Sequence, residues 1–253
     1  MNVRACALMT AASTALTLAA LPALAQPKVS PAIAAAVADT GRPAADTARD
    51  ATRKPADVLA FAGVKPGDKV EEFFPGGGYY TRILSKTVGP KGHLFLLTPG
   101  HLQSNPRFGK GSDDLAAAVG NATVVWQPAD TPLTPEKVDV VWNTDNYHDY
   151  RNPFFGSADM AKFNKAVFDS LKPGGVYIIV DYIAAPGAGA TQTNTLHRIE
   201  PATVKQEVEA AGFKLEAESK VLANPADDHT KKESEITPRF AADHMVLKFR
   251  KPK

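Results

Sequence analysis

The stretch Val70-Glu71-Glu72-Phe73-Phe74-Pro75-Gly76-Gly77-Gly78-Tyr79-Tyr80-Thr81-Arg82 constrains this chain more than any other. It reads as a short strand ending on an acidic residue, then a tight glycine turn, then the start of a helix. Three consecutive glycines let the backbone turn sharply and let a ligand approach without Cβ clashes. Helix N-termini present free N–H groups at such a turn. In open α/β sheets, nucleotide-like ligands bind in the crevice beyond the first strand. The pattern points to a small-molecule site suited to an adenosine-containing ligand.

The rest of the chain supplies the sheet that such a turn needs. Lys54–Gly63 reads as a helix with Pro55 early and Gly63 at its end. Strands are expected at Lys69–Phe74, Gly92–Leu97, Ala122–Trp126, Val138–Trp142 and Val176–Val180. Helices are expected at Gly78–Thr87, Asp113–Val119, Ser157–Leu171 and Pro201–Ala211. In the third of these, Met160, Phe163, Val167 and Leu171 recur at helical spacing. Phe213–Leu222 and His244–Phe249 alternate apolar and polar residues, as an antiparallel pair at a sheet edge does. The expected fold is therefore α/β: a Rossmann-like, doubly wound, mostly parallel seven-stranded sheet with an antiparallel C-terminal strand pair and helices on both faces. The long polar connection 223–242 is either functional or disordered.

The N-terminus bears on compartment. One positive charge lies within Met1–Arg4, Cys6–Leu24 is apolar or small, and Ala23-Leu24-Ala25 fits an A-x-A cleavage site. This is the pattern of a secretory signal peptide over residues 1–25. An uncleaved anchor is the alternative, because about 18 apolar residues can span a bilayer. Residues 26–44, rich in Ala and Pro, are expected as a mobile or loosely docked arm, and 45–253 as a single domain. Periplasmic or secreted location follows, with no stable membrane anchor after cleavage. Cys6 is the only cysteine, so disulfides, thiolate catalysis and cysteine-ligated zinc are excluded from the mature chain. The net charge of +2 gives no electrostatic case for nucleic acid.

The ordered motifs resemble class I S-adenosylmethionine (SAM)-dependent methyltransferases. "VEEFFPGGGYY" is similar to the glycine motif after the first strand, and "VDVVWNTDNYHDY" to the fourth strand and its following motif. "LKPGGVYIIVDY" is similar to the fifth strand, and "AAGFKLEAES" with "HMVLKFRK" to the closing hairpin. More narrowly, "RKPADVLAFAGVKPGDKV", "PGGGYYTRIL", "YHDY", "HRIEP" and "NPADD" resemble a group of secreted, methyltransferase-like bacterial proteins. The resemblance implies SAM as cofactor. It implies that Glu72 orients the methionine end and that the Pro75-Gly76-Gly77-Gly78 turn and Tyr80 lie against the ligand. Asp130 corresponds to the acid near the adenine, and Asn143 to His148 to the segment lining the methyl-donor pocket. Two positions depart from the pattern. Phe74 stands where the first glycine is usual, and Thr98 stands where an acid holds the ribose. A Thr hydroxyl makes one neutral bond where a carboxylate makes two charge-assisted ones.

Candidate catalytic groups lie past the later strands. His148, in Tyr147-His148-Asp149-Tyr150-Arg151, is either a general base or a hydrogen-bonded wall of the pocket. Asp181 ends the fifth strand, where it would orient His197 or bind an acceptor amine. His197 follows the small-residue loop Ala184–Thr193, which is either a lid or a plain surface loop. Asp227-Asp228-His229 is read as solvated rather than metal-binding, and no metal is expected. His93, His101 and His244 have no partner at motif spacing. The expected function is methyl transfer to a small molecule or envelope component. The alternative is an exported, inactive methyltransferase-like fold that binds another small ligand or a protein partner.

Overall fold

The computed structural model describes residues 27–253. The expected signal peptide lies outside the described residues. Among them, no helix is long and apolar enough to cross a membrane.

Seven strands form one sheet in the order β3-β2-β1-β4-β5-β7-β6. They are β1 (Lys69–Phe73), β2 (His93–Pro99), β3 (Ala122–Gln127), β4 (Val138–Thr144), β5 (Leu171–Tyr182), β6 (Lys214–Ser219) and β7 (His244–Arg250). The first five are mutually parallel, and β7 runs antiparallel to both β5 and β6. The expected doubly wound architecture with its antiparallel C-terminal pair is what the chain adopts. The chain order reverses between β1 and β4, which leaves a crevice beyond their carboxyl ends.

Helices cover both faces. On one face lie α1 (Pro31–Val37), α4 (Pro55–Ala62), α5 (Tyr79–Val88) and α6 (Gly109–Val119). Their Ile33, Leu59, Ile83, Leu84 and Leu115 pack with Val70, Leu94 and Trp142 of the sheet. On the other lie α7 (Met160–Ser170) and α8 (Pro201–Ala210), whose Phe163, Val167, Val204 and Val208 meet Phe73, Val141, Tyr177 and Phe249. The short helices α2 (Ala44–Thr47) and α3 (Asp50–Arg53) lead into α4.

Three segments differ from expectation. The described part of the arm, 27–44, is docked: Ser30 caps α1, Ile33 and Ala36 are buried, and Arg42 makes two bonds to Asp50 at 2.8 and 2.7 Å. Ile33 and Ala36 share a core cluster with Ile83 and Leu84 of α5. Helix α7 starts at Met160 because the Asp159 carboxylate accepts from the Ala161 and Lys162 amides at 3.0 and 3.2 Å. Strand β5 is longer than expected at both ends. Leu171 pairs with Val138, the register then slips, and Val176 pairs with Val140. Lys172-Pro173-Gly174-Gly175 is thus a bulge within the strand. Asp181 lies inside the strand, fully buried.

The connection 223–242 is tied down by Arg198. This fully buried guanidinium donates to both Asp227 oxygens at 3.1 and 2.9 Å, to the Lys231 carbonyl and to the Ile183 carbonyl. His229 pairs with Asp243 at 3.0 Å, so the Asp227-Asp228-His229 run serves internal contacts.

Successive acids on β1 face opposite sides of the sheet. Glu71 is fully buried on the α7 side, and neither carboxyl oxygen has a hydrogen-bond partner. Burial pushes it up to about 8 from an ordinary 4.5. A folded-state pKa raised this way gives stability that is present below about pH 4.5 and is lost as pH rises through about 8. Denaturant melts between about pH 5 and pH 9 are expected to show falling stability. Glu71→Gln should recover up to about 4 kcal/mol of that loss, because each tenfold change in proton affinity is worth about 1.4 kcal/mol. An unchanged pH slope in Glu71→Gln would contradict this.

Candidate ligand site at the switch point

The glycine turn closes β1 and opens α5. Phe74 and Gly76 have φ of 40° and 56°, and Gly78 has 80°. A Cβ at Gly78 would come within 2.4 Å of Leu115 Cδ1, so both conformation and packing require glycine there. A Cβ at Gly76 or Gly77 would meet nothing within 4 Å, because both face open space. The turn is braced by Arg82, which donates to the Gly77 carbonyl at 2.8 Å and to Asp46 at 2.7 Å.

Two cavities flank the turn and share Phe74, Gly76 and Gly77. One, of about 490 Å³, is lined by Arg82, Arg107, Phe108, Gly111 and Leu115. The other, of about 290 Å³, lies over the ends of β1 and β4, among Arg53, Glu72, Pro75, Tyr80, Asp145 and Asn146. Glu72 is 3% exposed and one of its oxygens has no hydrogen-bond partner. Burial pushes this carboxyl up to about 8. A buried unpaired acid beside a cavity is a poised cation receptor, because a positive ligand group would ionise it.

The second cavity's walls are held by the β4 end. Asn146 Nδ2 donates to the Thr144 carbonyl at 2.6 Å and to the Phe73 and Phe74 carbonyls at 3.3 and 3.4 Å. One amide thereby staples the diverging ends of β1 and β4. Asp145, in the left-handed region at φ 58°, pairs with Arg53 at 2.8 Å and lies 3.5 Å from His244. The Arg53 guanidinium also lies over the rings of Tyr79, Tyr80 and Phe240 at 4.8, 5.0 and 4.4 Å. Burial works against Asp145 ionising, but the Arg53 charge outweighs it and holds the carboxyl down to about 2.

Glu72, Pro75, Gly76, Gly77 and Tyr80 line the second cavity, and Gly78 caps the helix beside it. The other expected ligand residues lie elsewhere. Asn143 points to the opposite face of the sheet, where its amide donates to Tyr177 Oη at 3.3 Å. Its neighbour Thr144 lines the cavity instead, since side chains alternate along a strand. Thr98 is buried with no partner for its hydroxyl, and lines neither cavity. Asp130 is partly exposed, with Lys162 at 4.0 Å, and also lines neither. Phe74 fills the turn with a ring that packs on Phe108, Phe154 and Phe155 at 5.4, 6.5 and 4.7 Å.

His148, Asp181 and His197 do come together, outside both cavities. Tyr147 and Tyr150 enter the core, which turns His148 and Asp149 towards β5. Asp181 accepts from His148 Nδ1 at 2.7 Å and from the His148 amide at 2.8 Å. His197, at φ 53°, brings Nδ1 to 3.2 Å from His148 Nε2. Burial opposes charge on His148, but Asp181 and Asp149 outweigh it and raise the imidazole to about 10. The raised imidazole donates Nδ1–H to Asp181, the hydrogen-bonded arrangement expected as the alternative to a general base. The loop before His197 is tied back by Gly189 and Glu200, whose amides donate to each other's oxygens at 2.9 Å. Asp145 and Asn146 fall in the 143–148 segment expected to line the pocket and do line the second cavity, whereas Arg53, Asp149 and His244 carry no site assignment from the sequence. Arg53 and His244 lie 92 and 99 residues from Asp145 in the chain, with no spacing to link them.

No family model and no curated protein matches the chain. Solved structures do. A SAM-dependent methyltransferase from Aquifex aeolicus superposes with a TM-score of 0.57 at 17% identity, over 81% of this chain and 93% of that one. The Burkholderia thailandensis 1,6-didemethyltoxoflavin-N1-methyltransferase, solved with bound 1,6-didemethyltoxoflavin and S-adenosylhomocysteine, gives 0.54 at 16%, over 82% and 81%. The [4+2]-cyclase SpnF gives 0.56 at 16%, over 85% of each chain.

Removing the Asp145 charge leaves Arg53 buried and unpaired. Asp145→Asn is expected to cost about 3–5 kcal/mol in denaturant melts. In the parent, the Asp145 contribution is present above about pH 3.8 and is lost as pH falls through about 2. A loss below about 1 kcal/mol would show that Arg53 is hydrated and not held by this pair. The chain has the Rossmann-like, seven-stranded fold that SAM-dependent methyltransferases share.

Proposed function

We propose that this protein is a SAM-dependent methyltransferase acting on a small molecule or an envelope component, exported by its N-terminal apolar segment. The observation that carries this reading is the buried, unpaired Glu72 carboxyl opening onto a cavity at the switch point of the sheet. The residues present fit the methionine end of SAM. Glu72 would meet its ammonium group, and Arg239 would supply positive charge for its carboxylate. Gly76 and Gly77 leave the backbone open to close approach. The adenosine end would lie in the adjoining cavity, against Phe74 and Phe108. Bound there, SAM supplies a methyl group activated by its sulfonium. The protein's own share is alignment and exclusion of water, which supply much of the rate in positioning-driven reactions.

Titration calorimetry of the mature protein tests this. SAM or S-adenosylhomocysteine should bind with release of close to one proton at pH 7, as the Glu72 carboxyl ionises from its raised pKa of about 8. The release, read from the dependence of heat on buffer ionisation enthalpy, should vanish above about pH 9. Glu72→Gln should abolish it and weaken binding at least about tenfold. No heat with either compound at high micromolar concentration would sink the reading.

A second reading has its own support. Thr98 offers no carboxylate to a ribose and lies buried away from both cavities, and SpnF, with the same fold, is named for a cyclisation. On this reading the same cavity takes a different cationic small molecule. Native mass spectrometry of protein purified from its own host should then reveal a bound compound that is not SAM-derived.

A further inference from the structure

Three donor atoms, outside both cavities, form a figure that a metal ion would fill. His148 Nε2 lies 3.2 Å from His197 Nδ1 and 3.2 Å from Asp149 Oδ1, and the latter two are 3.3 Å apart. The triangle is nearly equilateral. Four-coordinate zinc, with bonds of about 2.0–2.1 Å to imidazole and carboxylate, sets its ligand atoms roughly 3.3–3.4 Å apart. The three atoms thus stand close to the edge length of one face of such a tetrahedron.

With His148 protonated, its Nε2–H and a His197 Nδ1–H can both be shared with Asp149 Oδ1, whereas a cation seated over the triangle would displace those protons and engage all three atoms. The two imidazole planes meet at 71°, so the rings do not stack and their edges converge.

The surroundings are those of an oriented ligand set. Asp181, itself fully buried, holds His148 Nδ1 at 2.7 Å and is fixed by the His148 and Tyr182 amides, both at 2.8 Å. That bond commits Nδ1 and leaves Nε2 as the metal-facing nitrogen, the carboxylate–histidine arrangement common behind metal ligands. Asn152 Nδ2 donates to Asp149 Oδ1 at 2.9 Å, which orients the carboxylate in the same way. His197 is brought in by the parallel bridge between Ile183 and Ile199, and its left-handed backbone aims the ring at the pair. The His197 side chain is 30% exposed, so one side of the triangle opens to solvent. A metal held there would keep a position for water or an oxygen ligand.

We propose that His148, Asp149 and His197 bind a divalent transition metal of the zinc type, with Asp181 and Asn152 as the groups that position the ligands. Two imidazoles and one carboxylate suit zinc or cobalt better than calcium or magnesium, which favour all-oxygen sets. The site goes beyond methyl transfer and stands without it, since none of its ligands lines the cavity at Glu72.

The test uses untagged mature protein, stripped with a chelator and dialysed against ZnCl2 or CoCl2 in the absence of SAM. Elemental analysis should find about one zinc per chain. Cobalt should give the intense visible absorption of a four-coordinate site. His197→Ala and Asp149→Ala, both partly exposed, should weaken binding at least tenfold and abolish the cobalt spectrum. His229→Ala, whose ring pairs with Asp243 in the 223–242 connection, should leave both unchanged. Less than a tenth of an equivalent of either ion, or equal binding by His197→Ala and the parent, overturns the site. So does loss of binding in His229→Ala alone. Because no SAM is present, failure here leaves the calorimetric test of Glu72 untouched.

Discussion

The Arg53 guanidinium and the Asp145 carboxylate meet inside the protein, and four parts of the chain are arranged around that contact. Arg53 ends α3 and carries the N-terminal helices onto the sheet. Asp145 follows β4 at the switch point, with a backbone bond to Val180 that registers it against β5. Tyr79 and Tyr80 from α5 and Phe240 from the long connection pack on the guanidinium. A buried charge of this kind is costly alone, and the pairing and ring faces offset that cost together. The result is a wall of the cavity built from residues far apart in sequence, each held by the others.

Beside that wall, adjacent acids on β1 meet different fates. Strand alternation sends Glu71 into the core under α7 and Glu72 towards the cavity. Both are raised by burial, and neither has its carboxyl fully paired. Glu72 borders the second cavity, where on the proposed function a cationic ligand group would ionise it, whereas Glu71 is fully buried and burial favours its neutral form. The sheet edge carries a second polar assembly at the end of β5, where Asp181 organises His148. Tyr182 and His244 stand between it and Asp145, with ring centroids 4.3 Å apart. Two chemically different centres thus share one edge of the sheet and are separated by a single layer of side chains.

Much of the fold is legible in residue order. The seven strands are visible as apolar or alternating runs, and the glycine turn marks the end of β1. The alternation of strand and helix implies the parallel order. Of the site, Glu72, Gly76 and Tyr80 are readable because the turn itself is local. Asn143 is one residue away from the position that faces the cavity, since the face a strand residue takes depends on register with its neighbours. The N-terminal arm reads as mobile or loosely docked because small residues and prolines suit both a loose chain and a closely packed helix. Asp149 carries no signal of its own beside His148, and its part in the triangle depends on where His197 arrives from 48 residues away.

The sequence by itself determined the seven strands, their mostly parallel sense with an antiparallel C-terminal pair, and the glycine turn at the end of β1. Strand periodicity, glycine conformational freedom and helix capping act over a few residues, and their signals are therefore local. Only the tertiary structure decided the charge state of Glu72, the pairing of Arg53 with Asp145, the burial of Thr98 and the triangle of His148, Asp149 and His197. These rest on desolvation and on ångström-scale distances between side chains brought together by packing, and neither quantity exists until the chain is folded.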